Sequence, residues 1–189
     1  MAGKVVNSSF VLLRCTDSQC LNSMHHFIEK IYPDGPLNYN GLFRGMQMQS
    51  GWGKKTAALF TKSVYHAHNE HYSEMLRFWD DIPATISVID SFFLPVDAVI
   101  IAIFNRLDKT RNWNFDSINR TLKSQYTNEQ IEAWDDLWFW GFITQNGSGQ
   151  QRAFEWNKNK YWIMIESDKN PDTIKKVRKK AEEFLSMLI

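Results

Sequence analysis

The stretch SGWGKKTAALF, Ser50 to Phe60, sets Gly51 and Gly53 on either side of Trp52, directly before a run that reads as the opening of a helix. Glycines at alternate positions permit positive backbone angles and keep side chains out of the way, so backbone N–H groups can face an outside ligand. A helix that follows adds its own N–H groups and the positive end of its dipole, and together these attract phosphate. Lys54 and Lys55 at the helix mouth strengthen that attraction. The plain alternative is a tight connection carrying solvated lysines, and the turn alone does not separate the two.

Outward from this turn, apolar residues recur at three- and four-residue spacing through most of the chain, and strand-like runs are short and far apart. The fold class expected is mainly α, with helices at about 20–31, 54–80, 82–93, 97–107, 116–125, 128–142 and 171–188. Start signals mark several of them. TNEQ (Thr127 to Gln130) has the capping-box pattern, Asp116 can cap SINRTLKSQY, and NPDTIKK puts Pro171 and Asp172 at the mouth of the last helix. YPDGPLNYNG (Tyr32 to Gly41) reads as a turn-rich linker and TQNGSGQQ (Thr144 to Gln151) as a loop. RAFEWN and YWIMIE, flanking KNK, read as a hairpin or an irregular aromatic segment. In the last helix Ile174, Val177, Ala181, Phe184, Leu185 and Leu188 form one stripe. Lys175, Lys176, Arg178, Lys179 and Lys180 turn outward to a solvated face.

A chain of 189 residues suits one domain, or two small lobes sharing a cleft. Hydrophobic residues at 43% and charged residues at 23% exclude the disorder signature, so the chain folds. A net charge of +1 excludes a polycation that coats nucleic acid, and confines any nucleic-acid surface to a local patch. Cys15 and Cys20 are too few for a four-thiolate iron–sulfur cluster or a disulfide framework, which fits a reducing compartment. The apolar runs near the N-terminus and in FFLPVDAVIIAIF are too short for a signal peptide core or a bilayer span, so no membrane is expected. YHAHNEHYSE gathers His66, His68, His71, Glu70 and Glu74, which invites a metal. It lacks the His-Glu-x-x-His spacing of zinc hydrolases, and we read it as a polar helix face, expecting no metal and no cofactor. His25 and His26 are read as ordinary histidines.

A second element changes the reading of the glycine turn. In FFLPVDAVIIAIFNRL, Phe92 to Leu107, a single carboxylate, Asp97, follows Pro95 and opens an otherwise apolar helix. Its side chain can cap that helix, and capping does not exclude catalysis. The turn and this segment together resemble the helix-hairpin-helix DNA glycosylase superfamily, which carries a Gly-x-Gly-x-Lys-Thr-Ala hairpin and, later, a Pro-Val-Asp segment opening a helix. The matching residues are Gly51, Gly53, Lys55, Thr56 and Ala57, then Pro95, Val96, Asp97, Asn105 and Arg106. WDDLWFWGF (Trp134 to Phe142) is similar to a late helix of these enzymes, and the likeness covers residues 42–143 discontinuously. Lys55 and Asp97 stand 42 positions apart (97 minus 55), a long spacing that looks more like the archaeal 8-oxoguanine glycosylase branch, which also lacks an iron–sulfur cluster.

The resemblance implies a helix-hairpin-helix glycosylase-type bundle over 1–189, with two helical lobes around a central cleft and the hairpin near 50–56. It implies an enzyme of base excision repair that flips a damaged nucleotide out of double-stranded DNA. Gly51, Gly53, Lys54 and Thr56 would hold the DNA backbone. Lys55 would be the nucleophile that forms a sugar Schiff base, giving glycosylase and AP lyase activity. Asp97 would take the amine's proton or balance charge on the sugar. Asp136 and Trp140, four apart on one helix face, would receive the flipped purine, expected to be 8-oxoguanine, with Asp135 and Phe139 as the alternative pair. In a third version Trp134, Leu137, Trp138 and Phe142 are simply helix core, with the aspartates outward. The protein is expected to act as a monomer in a nucleoid-associated cytoplasmic or nuclear setting. Against this stands a non-catalytic DNA-binding module, in which residues 115–157 form helices and a small β-wing and the hairpin binds phosphate without chemistry. A weaker reading is an adenine- or alkyl-base glycosylase without lyase activity, in which Lys55 is an ordinary surface residue.

Overall fold

Side-chain oxygens decide where the helices of this chain begin, and several of them come from far away in sequence. The computed structural model describes residues 22–69, 74–77, 79–149, 151–164 and 170–188. They are mainly helical. In chain order the elements are α1 (Met24–Ile31), α2 (Tyr39–Gln47), α3 (Lys54–Asn69), a 3-10 turn (Glu74–Leu76), α4 (Ala98–Leu107), α5 (Phe115–Lys123), α6 (Asn128–Ala133), α7 (Asp136–Ile143), β1 (Gln145–Ser148), β2 (Gln151–Phe154), α8 (Lys158–Met164) and α9 (Pro171–Ser186). Among the described residues no helix is long and apolar enough to cross a membrane. Two compact units divide the chain: one runs to Pro95 and takes in Lys123–Glu132, the other comprises Val96–Leu122 and the chain from Ala133 onward. Cys15, Cys20, Glu70 and His71 lie outside the described residues.

In the first unit, α2 packs against both α1 and α3. Ser23 caps α1 by accepting from His26 N–H at 3.1 Å, and Asn38 caps α2 by accepting from Gly41 N–H at 3.0 Å. Each of these helices also receives a second, remote cap. The Asp81 carboxylate accepts the Met24 and His25 N–H groups at 2.6 and 3.0 Å and the Ser23 hydroxyl at 2.8 Å. Desolvation works to raise its pKa, but these donors and the adjacent His25 outweigh it, and the Asp81 carboxyl sits below the usual carboxylate range. Asp90 is the remote cap of α2, accepting from Tyr39 N–H at 3.0 Å and Asn40 N–H at 2.8 Å.

These remote caps account for two corrections. The helix expected over 82–93 is a run of turns and extended chain, and of the one expected over 54–80, Lys54–Asn69 is helix while Glu74–Leu76 is a 3-10 turn and 79–80 are not helical. Pro83 has no N–H to give a helix, while its carbonyl accepts from the Tyr39 hydroxyl at 2.9 Å and the Asn69 amide at 3.1 Å. Asp81 and Asp90 serve other helices, and Ile86 and Phe92 bury beside Tyr39. The expected linker over Tyr32 to Gly41 is likewise shorter than read, because α2 begins at Tyr39.

The capping box at Thr127 forms as expected: Gln130 N–H donates to Thr127 Oγ1 at 3.3 Å, and Thr127 N–H donates to Gln130 Oε1 at 3.0 Å. The single helix expected over 128–142 is interrupted at 134–135 and becomes α6 and α7.

In the second unit α4 packs on α7, and α8 and α9 pack on the same helix. Val99, Ile103, Phe184 and Leu188 form one buried cluster, and Ile143, Tyr161 and Ala181 form another. The last helix turns the expected stripe inward, with Ala181 and Phe184 buried, Ile174, Val177 and Leu185 half-buried and Leu188 buried just past its end, and its lysines are exposed. Asn170 caps it by accepting from Asp172 N–H at 2.8 Å, with Pro171 in the first turn. Asn114, rather than Asp116, caps α5, its Oδ1 accepting from Asp116 and Ser117 N–H at 3.0 Å each. The expected loop at 144–151 is largely a hairpin: β1 and β2 pair antiparallel, Gln145 opposite Phe154 and Ser148 opposite Gln151. Gly149 supplies a positive φ in the turn that closes it, and Gly147 adopts a positive φ within β1 opposite Arg152. The expected second strand, YWIMIE, instead contributes to α8, whose first turn is held by Asn157 Oδ1 accepting from Asn159 and Lys160 N–H at 3.0 and 3.2 Å.

Candidate functional site

In the first unit, the sequence between α2 and α3 closes a tight turn. Gln49 N–H donates to Met46 O at 3.0 Å and Trp52 N–H to Gln49 O at 3.1 Å, while the Gln49 side-chain amide donates back to Gly45 O at 2.9 Å. Gly51 has φ +86°, a conformation that L side chains rarely adopt. Gly53 has no such backbone requirement, and a Cβ built on it meets nothing within 4 Å. Neither backbone strain nor packing therefore calls for glycine at 53, whereas close approach from outside would. Trp52 anchors the turn, its ring edge-on to Phe60 at 5.6 Å and 82°.

α3 starts at Lys54, and its buried side is Ala57, Ala58, Thr61, Lys62 and Val64. Lys55 and Thr56 are exposed and Lys54 is half-buried. The turn thus brings Gly51, Gly53, Lys54, Lys55 and Thr56 together at the positive end of a helix.

Asp97 lies in the second unit, after the buried Pro95 and Val96, and caps α4. Its Oδ1 accepts from Val99 N–H at 2.8 Å and Ile100 N–H at 3.1 Å, and its Oδ2 accepts from the Trp138 indole N–H at 3.0 Å. The Trp138 bond, which sequence reasoning missed, fastens the start of α4 to α7. Trp138 also stacks on Phe142 at 5.1 Å and 12°.

Asp136 and Trp140 both lie on α7, Asp136 exposed and Trp140 half-buried. Trp140 packs against both buried clusters of this unit and stands edge-on to Phe139 at 5.2 Å. Its ring is therefore largely committed to packing, and Phe139, the aromatic of the alternative pair, packs on the Ile143 cluster.

Two charged arrangements in the first unit gave no signal in the sequence. Lys123 Nζ lies 3.4 Å from the ring centroid of Phe93, which stacks on Phe43 at 4.2 Å, and the Arg44 guanidinium covers both rings. Burial first, and then the Arg44 charge, push the Lys123 ammonium down to about 8. Deeper in α3, Glu132 Oε1 stands 3.2 Å from Lys62 Nζ and 2.7 Å from His66 Nε2. These contacts bring together residues about 70 positions apart, beyond the reach of local pattern reading.

No protein-family model, curated protein or solved structure matches this chain.

Proposed function

We propose that this protein is a DNA glycosylase with AP lyase activity that excises an oxidised purine, 8-oxoguanine, from duplex DNA as a monomer. The observation that carries the reading is the turn before α3: Gly51 at φ +86°, Gly53 facing open space, and an exposed Lys55 in the first helical turn. Helix starts of this kind favour phosphate.

Lys55 Nζ, as the neutral amine, bonds to the anomeric carbon of the flipped nucleotide. The C–N bond to the base breaks, and the base leaves with that electron pair and takes up a proton. Opening of the sugar ring then gives an iminium. Loss of a proton from the adjacent carbon expels the 3′ phosphate and nicks the strand. Asp97 is assigned the carboxylate role, accepting the amine's proton or balancing charge on the sugar.

The test is incubation with duplexes that each carry one lesion, followed by borohydride. A covalent adduct that is lost in Lys55→Gln and kept in Lys54→Gln supports the assignment. Lesion-specific binding with neither base release nor adduct overturns it.

A second reading is a DNA-binding module without chemistry. Two observations favour it: both Asp97 carboxylate oxygens already accept hydrogen bonds within their own unit, and the antiparallel hairpin follows α5 to α7 as a wing would. In that case DNA binding survives in Lys55→Gln and no lesion is released from any duplex.

A further inference from the structure

The second unit contains an open groove of about 520 Å³ that the proposed chemistry does not use. Its floor is the outer stripe of α4. Ala98, Ile101, Ala102 and Asn105 recur at helical spacing on the side away from the buried Val99, Ile100, Ile103 and Phe104. Trp113 also lines it, its indole N–H donating to Asp108 O at 2.8 Å. The hairpin contributes Gly149, Arg152 and Phe154.

Among the described residues three cations line this groove, Arg106, Lys109 and Arg152, and no carboxylate does. Among the described residues none of the three belongs to an ion pair. Arg106 is instead held by neutral groups: its Nε donates to Leu188 O at 3.1 Å, and its guanidinium lies over the Phe154 ring at 5.7 Å. Arg152 is held the same way, donating to Gly149 O at 3.2 Å and Gln145 Oε1 at 3.3 Å. The nearest acid in sequence, Asp108, is turned to Thr110 at 2.6 Å and Arg111 at 3.4 Å. Cations fixed by neutral partners keep their charge uncompensated and lose little side-chain freedom on binding an anion. In a chain whose net charge is only +1, such a concentration is local.

We propose that this groove binds a nucleic-acid backbone, as a second phosphate-contact surface separate from the turn before α3. Arg106, Lys109 and Arg152 would contact successive phosphates, with the Asn105 and Asn112 amides as additional hydrogen-bonding groups. The inference rests on DNA being the partner, and it holds for either reading of the chemistry.

The experiment measures binding of the full chain to a short undamaged duplex over a range of salt concentrations. Each lost phosphate contact lowers the slope of log K against log[salt] by about 0.9, so Lys109→Gln with Arg152→Gln should make it shallower by about 1.8. The control removes equal charge from the solvated face of α9 by Lys175→Gln with Lys179→Gln, and should change the slope by less than half as much. Because Arg152 also braces the hairpin, Lys109→Gln alone serves as the second variant, with an expected change of about 0.9. An unchanged slope in both groove variants overturns the proposal, as does an equal change in the α9 control. No measurable duplex binding by the unaltered chain overturns it together with the DNA reading. Loss of slope in a protein that excises no lesion leaves the groove standing and removes only the glycosylase reading.

Discussion

Two sets of glycines, one in each unit, sit in motifs that look equally informative in the sequence. Gly141, in WDDLWFWGF, is fixed by packing: a Cβ there would come within 2.6 Å of both Ile103 Cδ1 and Val99 Cγ1, where α7 meets α4. Gly51 is fixed by its backbone angle, and Gly53 by nothing inside the protein. The carboxylate and the lysine differ in a similar way. Asp97 spends both oxygens holding α4 and α7 together, while Lys55 is exposed at a helix start. Gly141 and Asp97 thus have internal duties that explain them, whereas neither packing nor backbone angle accounts for Gly53.

The comparison is broken most directly at Gly141. Gly141→Val forces a branched side chain into the α4 to α7 contact and should destabilise the protein by about 1–3 kcal/mol in urea unfolding. Asp97→Ala removes a cap and leaves the Trp138 N–H without its acceptor, a loss of about 1–2 kcal/mol. Asp97→Ser should recover much of it. If Asp97 is also catalytic, Asp97→Ser still loses about 10²-fold or more in base release, which separates the two duties. Gly51→Ala places a side chain at positive φ and should cost about 1 kcal/mol.

Lys123 sharpens the contrast between a displayed lysine and a covered one. Its folded pKa of about 8 lies below its ordinary value, so the folded state holds fewer protons than the unfolded state between those values. Stability then rises with pH across that window, and the penalty is fully present below it. After allowance for its partial exposure, Lys123→Met should be favoured over the parent by under about 1 kcal/mol at neutral pH, less at about pH 10. Gly53→Ala is the smallest expected change, within about 0.5 kcal/mol in stability, and its readout is weaker duplex binding.

What was legible in the sequence was local. The capping box at Thr127, the cap at Asp97, the opening of α9 and its buried stripe all rest on neighbours within one or two turns, and the structure has them where the residues put them. Segment 80–92 was misread because Asp81 and Asp90 act at a distance, on helices about 50 positions earlier, and a periodic run with such carboxylates looks like a helix when their partners are unseen. The hairpin was displaced by one segment for a related reason: NGSG was recognised as a breaker, but the pairing it permits depends on Gln145 and Phe154 facing each other across it. At the site, the composition of the turn was readable, whereas the Trp138 bond to Asp97 and the three cations of the groove come from elements that only folding brings together.

Asp81 and Asp90 carry one further consequence, for the order of events as the chain is made. The N-termini of α1 and α2 leave the ribosome 57 and 51 residues ahead of the carboxylates that complete them. Short helices without tertiary support are marginal in water. Completion of the α1 and α2 starts in the nascent chain therefore waits on segment 80–92, a long-range closure rather than a local helix-forming step.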